Sequence, residues 1–189
     1  MLEELVHIDK QVFIYLNGLG SPAWDNLWQY ISSKYSAIPL YLFLLILSYQ
    51  KLGLKRTFLL VVSVALMITV SDQLSNFFKY GVARLRPCHD PDTMNVMRLV
   101  KSYCGGKYGY FSAHASNAFA LATFFGIILR SQLRYIGVFL LLWASLVAYS
   151  RIYIGVHFPL DVLTGLLIGT LFGWVFAKLY IFVLPKFPL

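Results

Sequence analysis

Three short stretches concentrate the groups that could do chemistry. "SRIYIGVHFPLD", Ser150 to Asp161, holds an arginine, a histidine and an aspartate between two apolar runs. Pro159 suits the first position of a helix, which puts His157 just before the helix and Asp161 in its first turn. Side chains four apart meet on one face. Asp161 can then accept from one ring nitrogen of His157, fix the tautomer and leave the other nitrogen as a nucleophile or base. The plainer account of Asp161, a carboxylate favoured by the positive end of a helix, explains the same spacing equally well.

"KYGVARLRP", Lys79 to Pro87, sets Lys79 and Arg86 seven residues apart at the end of an apolar run. A single such lysine is accounted for by snorkelling to the head groups. "FSAHASN", Phe111 to Asn117, puts Ser112, Ala113 and His114 at the start of another apolar run. Helix N-terminal amides there suit an anion, although a capping serine beside an unrelated histidine is the simpler account of this piece alone. Taken together, three basic side chains, a hydroxyl, backbone amides and two histidines suit a tetrahedral oxyanion, with phosphate the obvious one. Fixed cations stabilise the equatorial oxygens during phosphoryl transfer.

The elements that must position these groups are apolar. The 189 residues are 59% hydrophobic, 17% aromatic and 13% charged, too little polar surface for a water-soluble domain. Several runs approach the ~20 residues that cross a bilayer. The fold class expected is all-α: a polytopic membrane helix bundle of about five to six spans in one domain over residues 1–189. The spans are placed near 35–49, 57–80, 113–129, 135–150 and 159–184, the first expected to continue the upstream helix that carries Trp24 and Trp28, two residues suited to the head-group level. Residues 1–20 read as an interfacial amphipathic helix, ended by "GLGSP", with Ser21 as the next N-cap. No cleaved signal peptide is expected. Gly165, Gly169 and Gly173 repeat every fourth residue and form a close-packing face.

Alternating the spans brings Lys79, Arg86, Ser112, His114, Arg151, His157 and Asp161 to one membrane face. The short loops of the other face carry Lys51, Lys55, Arg56, Arg130 and Arg134, which favours the cytoplasm for that side. The functional face, with the loop at 81–111, is therefore expected outside the cytoplasm. Cys88 and Cys104, the only cysteines, both fall in that loop and would close it by a disulfide in an oxidising compartment. The net charge of +8 is spread among short loops, which points to anionic lipid rather than nucleic acid.

The order and spacing of the three stretches resemble the type 2 phosphatidic acid phosphatase family, membrane lipid phosphatases related to vanadium haloperoxidases and bacterial acid phosphatases. The resemblance runs from about Asp72 to Asp161. It departs in the second motif, where Phe111 stands for the family's proline and Ala113 for its glycine, a residue freer to take positive φ. The resemblance implies that His157 attacks phosphorus to form a phosphohistidine. Asp161 would orient it, and His114 would protonate the leaving oxygen and then activate water. Lys79, Arg86, Arg151, Ser112 and the Ala113 amide would hold the phosphoryl oxygens. Arg84 is balanced between assisting and a surface role. No cofactor or metal is implied. Asp72 is read as a structural polar contact.

The expected function is hydrolysis of a phosphomonoester or diphosphate on a membrane lipid. Undecaprenyl diphosphate, phosphatidylglycerol phosphate, phosphatidic acid and a lipid A phosphate all fit. The alternatives are a lipid phosphotransferase using the same site, a vanadium peroxidase, and a transporter. The charges gather at one face rather than along a path through the bilayer, which disfavours transport. The partners expected are the lipid phosphate and the bilayer, the latter expected to be the bacterial inner membrane with the site facing the periplasm, and the lipid chain is expected beside the third and fifth spans.

Overall fold

The computed structural model describes residues 1–186. Seventeen residues, Leu2–Gly18, form α1, followed by α2 (Pro22–Ile31) and a 45-residue α3 (Ile38–Val82). The loop 83–112 leads to α4 (Ala113–Ile128), α5 (Ile136–Tyr153) and α6 (Pro159–Val183). Among the described residues the only β pairing is a single bridge between Leu85 and Tyr108.

α3 is two arms, not one rod. Gly53 has φ 77° and ψ 172°, a conformation that glycine takes at no steric cost. Tyr41 and Leu44 from before it line the same cavity as Leu60, Val64 and Ile68 from after it. In a straight helix Tyr41 and Ile68 would lie about 40 Å apart at 1.5 Å per residue. The chain therefore folds back at Gly53, beside the basic residues Lys51, Lys55 and Arg56. The first and second spans of the sequence analysis are these two arms. α3, α5 and α6 are long and apolar enough to cross a membrane, and α4 is a shorter apolar helix. With α3 divided into its two arms, the bundle has five apolar segments.

The first arm is not continuous with α2. Residues 32–37 form a turn, closed by the Ser36 hydroxyl on the Ile31 carbonyl at 3.0 Å. Ser21 stands at the N-cap of α2 with Pro22 next, but its side chain caps nothing. Its backbone instead exchanges hydrogen bonds with the Tyr153 hydroxyl, at 3.1 Å from the amide and 2.9 Å to the carbonyl. Trp24 is exposed, whereas Trp28 stacks on Tyr153 with ring centroids 5.2 Å apart.

α4 lies at the centre, with Phe119, Leu121, Phe124 and Phe125 all buried. α6 packs on it through Gly165, Gly169 and Gly173. A Cβ at Gly169 would stand 2.1 Å from the Ser116 carbonyl oxygen, and one at Gly173 2.4 Å from that of Ala120. Hydrogen alone fits there, so the glycine face is the contact that sets the α4–α6 distance. The hydroxyls of Ser71 on α3 and Ser116 on α4 pair at 2.9 Å, and each is fully buried, so both are satisfied where no water reaches.

α1 and α2 cap the end of the bundle where α4 and α6 begin. Asn17 ties three segments together. Its amide donates to the carbonyls of Ile152 and Tyr153 at 3.2 and 2.9 Å, and its oxygen accepts from the Arg98 amide at 2.7 Å. Lys10 joins Asp90 and Asp92 of the loop at 2.8 Å each. Cys88 and Cys104 of that loop are bridged, with Cα atoms 6.2 Å apart, a normal span for a disulfide.

Candidate active site

His157 sits between α5 and α6, held by the turn that joins them. Gly155 makes this turn possible. Its φ is 83°, and a Cβ there would lie 2.6 Å from the Arg98 carbonyl oxygen. The His157 Nδ1 lies 3.4 Å from Asp161 Oδ2, and the two side chains are 3% and 0% exposed. The other oxygen contacts of Asp161 fix its rotamer. Oδ2 accepts from the Phe158 amide at 3.0 Å, and Oδ1 accepts from Arg84 Nη1 at 2.8 Å. Burial, together with Arg86, Arg151 and Lys79 nearby, lowers the His157 pKa well below its ordinary 6.5. The imidazole is thus neutral at physiological pH, the state that carries a free nucleophilic lone pair.

The cations come from three elements. Lys79, at the end of α3, interacts electrostatically with Arg86 and Arg151. Arg86 donates from Nε to the Tyr108 carbonyl at 3.2 Å and from Nη1 to the Val156 carbonyl at 3.3 Å. Arg151, 5% exposed, donates from Nη1 to the Ser32 hydroxyl and carbonyl. Its Nε is buried without a partner, and a buried guanidinium N–H of that kind suits an anionic oxygen. His114, in the first turn of α4, interacts with Arg151 and His157. It also lines a cavity of about 270 Å³ with Ser33, Ser36, Asp72, Asn117 and Trp143.

Ser112 is buried and caps α4, accepting from the Ala115 amide at 3.4 Å. Its own amide donates to the Asp161 carbonyl at 3.0 Å, which ties the second motif to the third. Ala113 follows as the first residue of α4 and lines the His114 cavity. Positive φ is not required of it: among the described residues the non-glycine residue with positive φ is Ala83. Alanine is therefore tolerated where the family has glycine. Asp72 accepts from the Asn117 amide at 2.9 Å, the structural contact expected of it.

Arg84, balanced in the sequence between assisting and a surface role, finds its place in the fold, and three further contributors were not legible. Arg84 joins Asp161 and Asp9 rather than standing on the surface. Ser32 anchors Arg151. Lys101, from the loop, interacts with Arg86 and Arg151, and burial lowers its pKa. Gly109 lines the floor, where a Cβ would stand 3.2 Å from Asp161 Oδ2 and 3.5 Å from His157 Nδ1. Each acts across the fold, so spacing along the chain gave no signal for it.

These groups keep the order of the family motifs, and the match extends past them. Residues 56–183 match the PAP2 superfamily. The chain belongs to the PAP2 superfamily. A lipid A 4'-phosphatase of Bacteroides thetaiotaomicron is 35% identical over 178 residues, 93% of this chain and 78% of that protein. One of Porphyromonas gingivalis is 35% identical over 182 residues, 96% of this chain and 76% of that protein. An undecaprenyl-diphosphatase of Sulfolobus acidocaldarius is 29% identical over 116 residues, 61% of this chain and 53% of that protein.

Among solved structures, Aquifex aeolicus LpxE superposes with a TM-score of 0.65 at 27% identity, covering 89% of this chain and 93% of that one. A PAP2-type phosphatidylglycerolphosphate phosphatase of Bacillus subtilis gives 0.74 at 19% identity, covering 98% and 90%, a likeness of fold. This PAP2 protein is accordingly an integral membrane lipid phosphatase, a hydrolase with an all-helical bundle as its scaffold.

Proposed function

We propose that this PAP2 phosphatase removes a phosphate from a saccharide lipid of the lipid A type, on the extracytoplasmic face of a bacterial inner membrane. The observation that carries the reading is the 35% identity to two lipid A 4'-phosphatases over more than nine-tenths of the chain. A match over 96% of the chain reaches well beyond residues 56–183, the part matched to the superfamily. A polar cavity beside His114 supports it. Asp72 carries an oxygen beyond the one Asn117 engages, and Ser33, Ser36 and Lys34 line the same space. A sugar leaving group brings hydroxyl and amide donors to such a lining, and the prenyl phosphate left by a prenyl diphosphate does not.

The chemistry proceeds in two steps. His157 Nε2 attacks phosphorus, and the bond to the leaving oxygen breaks as His114, which takes up a proton when the dianionic phosphate group binds beside it, gives that proton to the leaving oxygen. Asp161 keeps the His157 Nδ1 proton and stabilises the positive ring. His114, now neutral, takes a proton from water, whose oxygen attacks the phosphohistidine and releases inorganic phosphate with His157 restored. Lys79, Arg86, Arg151, Ser112 and the Ala113 amide bind the phosphoryl oxygens.

The lipid chain lies in an apolar groove of about 700 Å³ lined by Pro39, Leu40, Phe43, Phe139 and Trp143. This groove shares Ser36 and Trp143 with the His114 cavity. It runs between the first arm of α3 and α5, the first and fourth spans, not beside the third and fifth. α1 lies in the interface, and the site opens away from the face carrying Lys51, Arg56, Arg130 and Arg134.

A substrate panel with purified protein tests the reading. Lipid A phosphate is expected to be turned over at a kcat/KM at least tenfold above that of undecaprenyl diphosphate, phosphatidylglycerol phosphate or phosphatidic acid. Phosphate is expected to appear without an added acceptor. Preference for phosphatidic acid, or activity that needs a lipid acceptor, would refute it.

A further inference from the structure

α1 has two faces. Leu5, Ile8, Val12, Tyr15 and Leu19 are exposed along one stripe, while Asp9, Phe13 and Asn17 are buried along the other. A buried carboxylate on such a helix is costly unless it is paired. Asp9, 4% exposed, is paired twice. Its Oδ2 takes Arg84 Nη2. Its Oδ1 accepts from the Leu160 amide at 2.9 Å, one of the unpaired donors in the first turn of α6.

The same arginine reaches the catalytic pair. Arg84 gives Nη1 to Asp161 Oδ1 at 2.8 Å and lies over the Phe158 ring, 4.5 Å from its centroid. Phe13 of α1 packs edge-on against that ring at 5.2 Å. Phe158, Leu160 and Asp161, the residues that follow the nucleophile, are thus each held by α1 or by the arginine that α1 fixes.

We propose that Asp9 is a positioning residue for phosphoryl transfer, acting through Arg84 on the Asp161–His157 pair. The inference rests on His157 being the nucleophile. Asp9 occupies one prong of the guanidinium fork and leaves the other for Asp161 Oδ1. Oδ2 then faces the Phe158 amide and His157 Nδ1. Without the Asp9 charge, the fork turns to bind both Asp161 oxygens, the geometry that arginine favours with a carboxylate. Oδ2 loses basicity, and the imidazolium formed during attack loses its stabilisation. Lys79, Arg86 and Arg151 are untouched, so phosphate binding persists.

Asp9→Asn keeps the shape and an acceptor for Leu160 but removes the charge. The expected result is a kcat lower by roughly tenfold, a loss typical of a slightly misplaced catalytic group, with KM unchanged. Inorganic phosphate, held by the cations alone, inhibits as in the wild type. Vanadate, which takes the histidine nitrogen as a fifth ligand, weakens by the same factor as kcat. His7→Ala, on the exposed face of α1, changes none of these. Wild-type kcat in Asp9→Asn overturns the proposal, as does equal weakening of phosphate and vanadate, which marks a general scaffold. Should Asp9→Asn fail to fold, Asp9→Glu displaces Arg84 with the charge retained. The same split between the two inhibitors is expected, and its absence overturns the proposal. Turnover by folded His157→Ala would sink the nucleophile reading itself; with that variant inactive, the Asp9 results bear on Asp9 alone.

Discussion

Replacing Gly169 with alanine adds one methyl where α6 meets α4. That Cβ would stand 2.1 Å from the Ser116 carbonyl oxygen, 2.8 Å from its carbonyl carbon and 2.9 Å from its Cα. Ordinary contact begins at 3.4 Å, so the helices must part by about 1.3 Å, the difference between 3.4 and 2.1. The neighbour is backbone, buried in α4, and cannot swing aside as a side chain would. Overpacking of this kind costs about 1–3 kcal/mol. The function suffers more, because α4 carries His114 and the turn before α6 carries His157. A displacement of about 1 Å costs on the order of 10²-fold in rate. The assay is phosphate release by purified protein in lipid nanodiscs, paired with thermal unfolding. Gly18→Ala is the control, since nothing lies within 4 Å of its Cβ and alanine favours a helix. The expected result is a drop of about 100-fold in kcat for Gly169→Ala, with folded protein and an unfolding midpoint lower by several degrees, against near-normal values for Gly18→Ala. Wild-type activity in Gly169→Ala would refute the claim that the glycine face sets the α4–α6 distance on which the site depends.

His157→Ala is expected to abolish turnover and Asp161→Asn to lower it by about 10³-fold, as measured by phosphate release from detergent-solubilised lipid substrate. The depressed His157 pKa has a sign for stability. Between that value and about 6.5, the unfolded chain binds a proton that the folded chain does not. Its contribution is therefore fully present above pH 6.5 and is lost as pH falls below it. Unfolding midpoints from pH 8 to pH 5 should fall more steeply for the wild type than for His157→Gln. Non-reduced peptide mapping should recover Cys88 joined to Cys104, and reductant should lower the unfolding midpoint by loosening the loop; two freely alkylated thiols in protein prepared without reductant would count against the bridge. A chelator is expected to leave activity intact, since cations of the chain serve the phosphoryl oxygens; recovery of a chelated enzyme by added metal would contradict that.

Much of the site was legible because its chemistry sits at the ends of apolar runs. A lysine, two arginines and two histidines at such ends are expensive residues in a membrane protein. Helix alternation alone sends them to one face. The His157–Asp161 contact was legible for a local reason: four residues make one helical turn. The glycine face of α6 was legible from its period. Burial and snorkelling act on each run separately, so the sequence carries them directly.

Asp9, Arg84, Ser32 and Gly109 belong to the tertiary structure. Asp9 and Arg84 meet across 75 positions, and Arg84 and Asp161 across 77. An aspartate on an amphipathic helix reads as a solvated charge until another element is shown to cover it, and an arginine near a lysine reads equally well as a surface cation or as a helper at the site. What decides between those readings is desolvation. Once α1 lies over the start of α6, Asp9 and Asp161 have no water to meet them, and the one guanidinium within reach of both must serve both. The fold at Gly53 was decided the same way. Its sequence marks a break between apolar runs, but only the packing of both arms against α4 turns that break into a reversal of the chain.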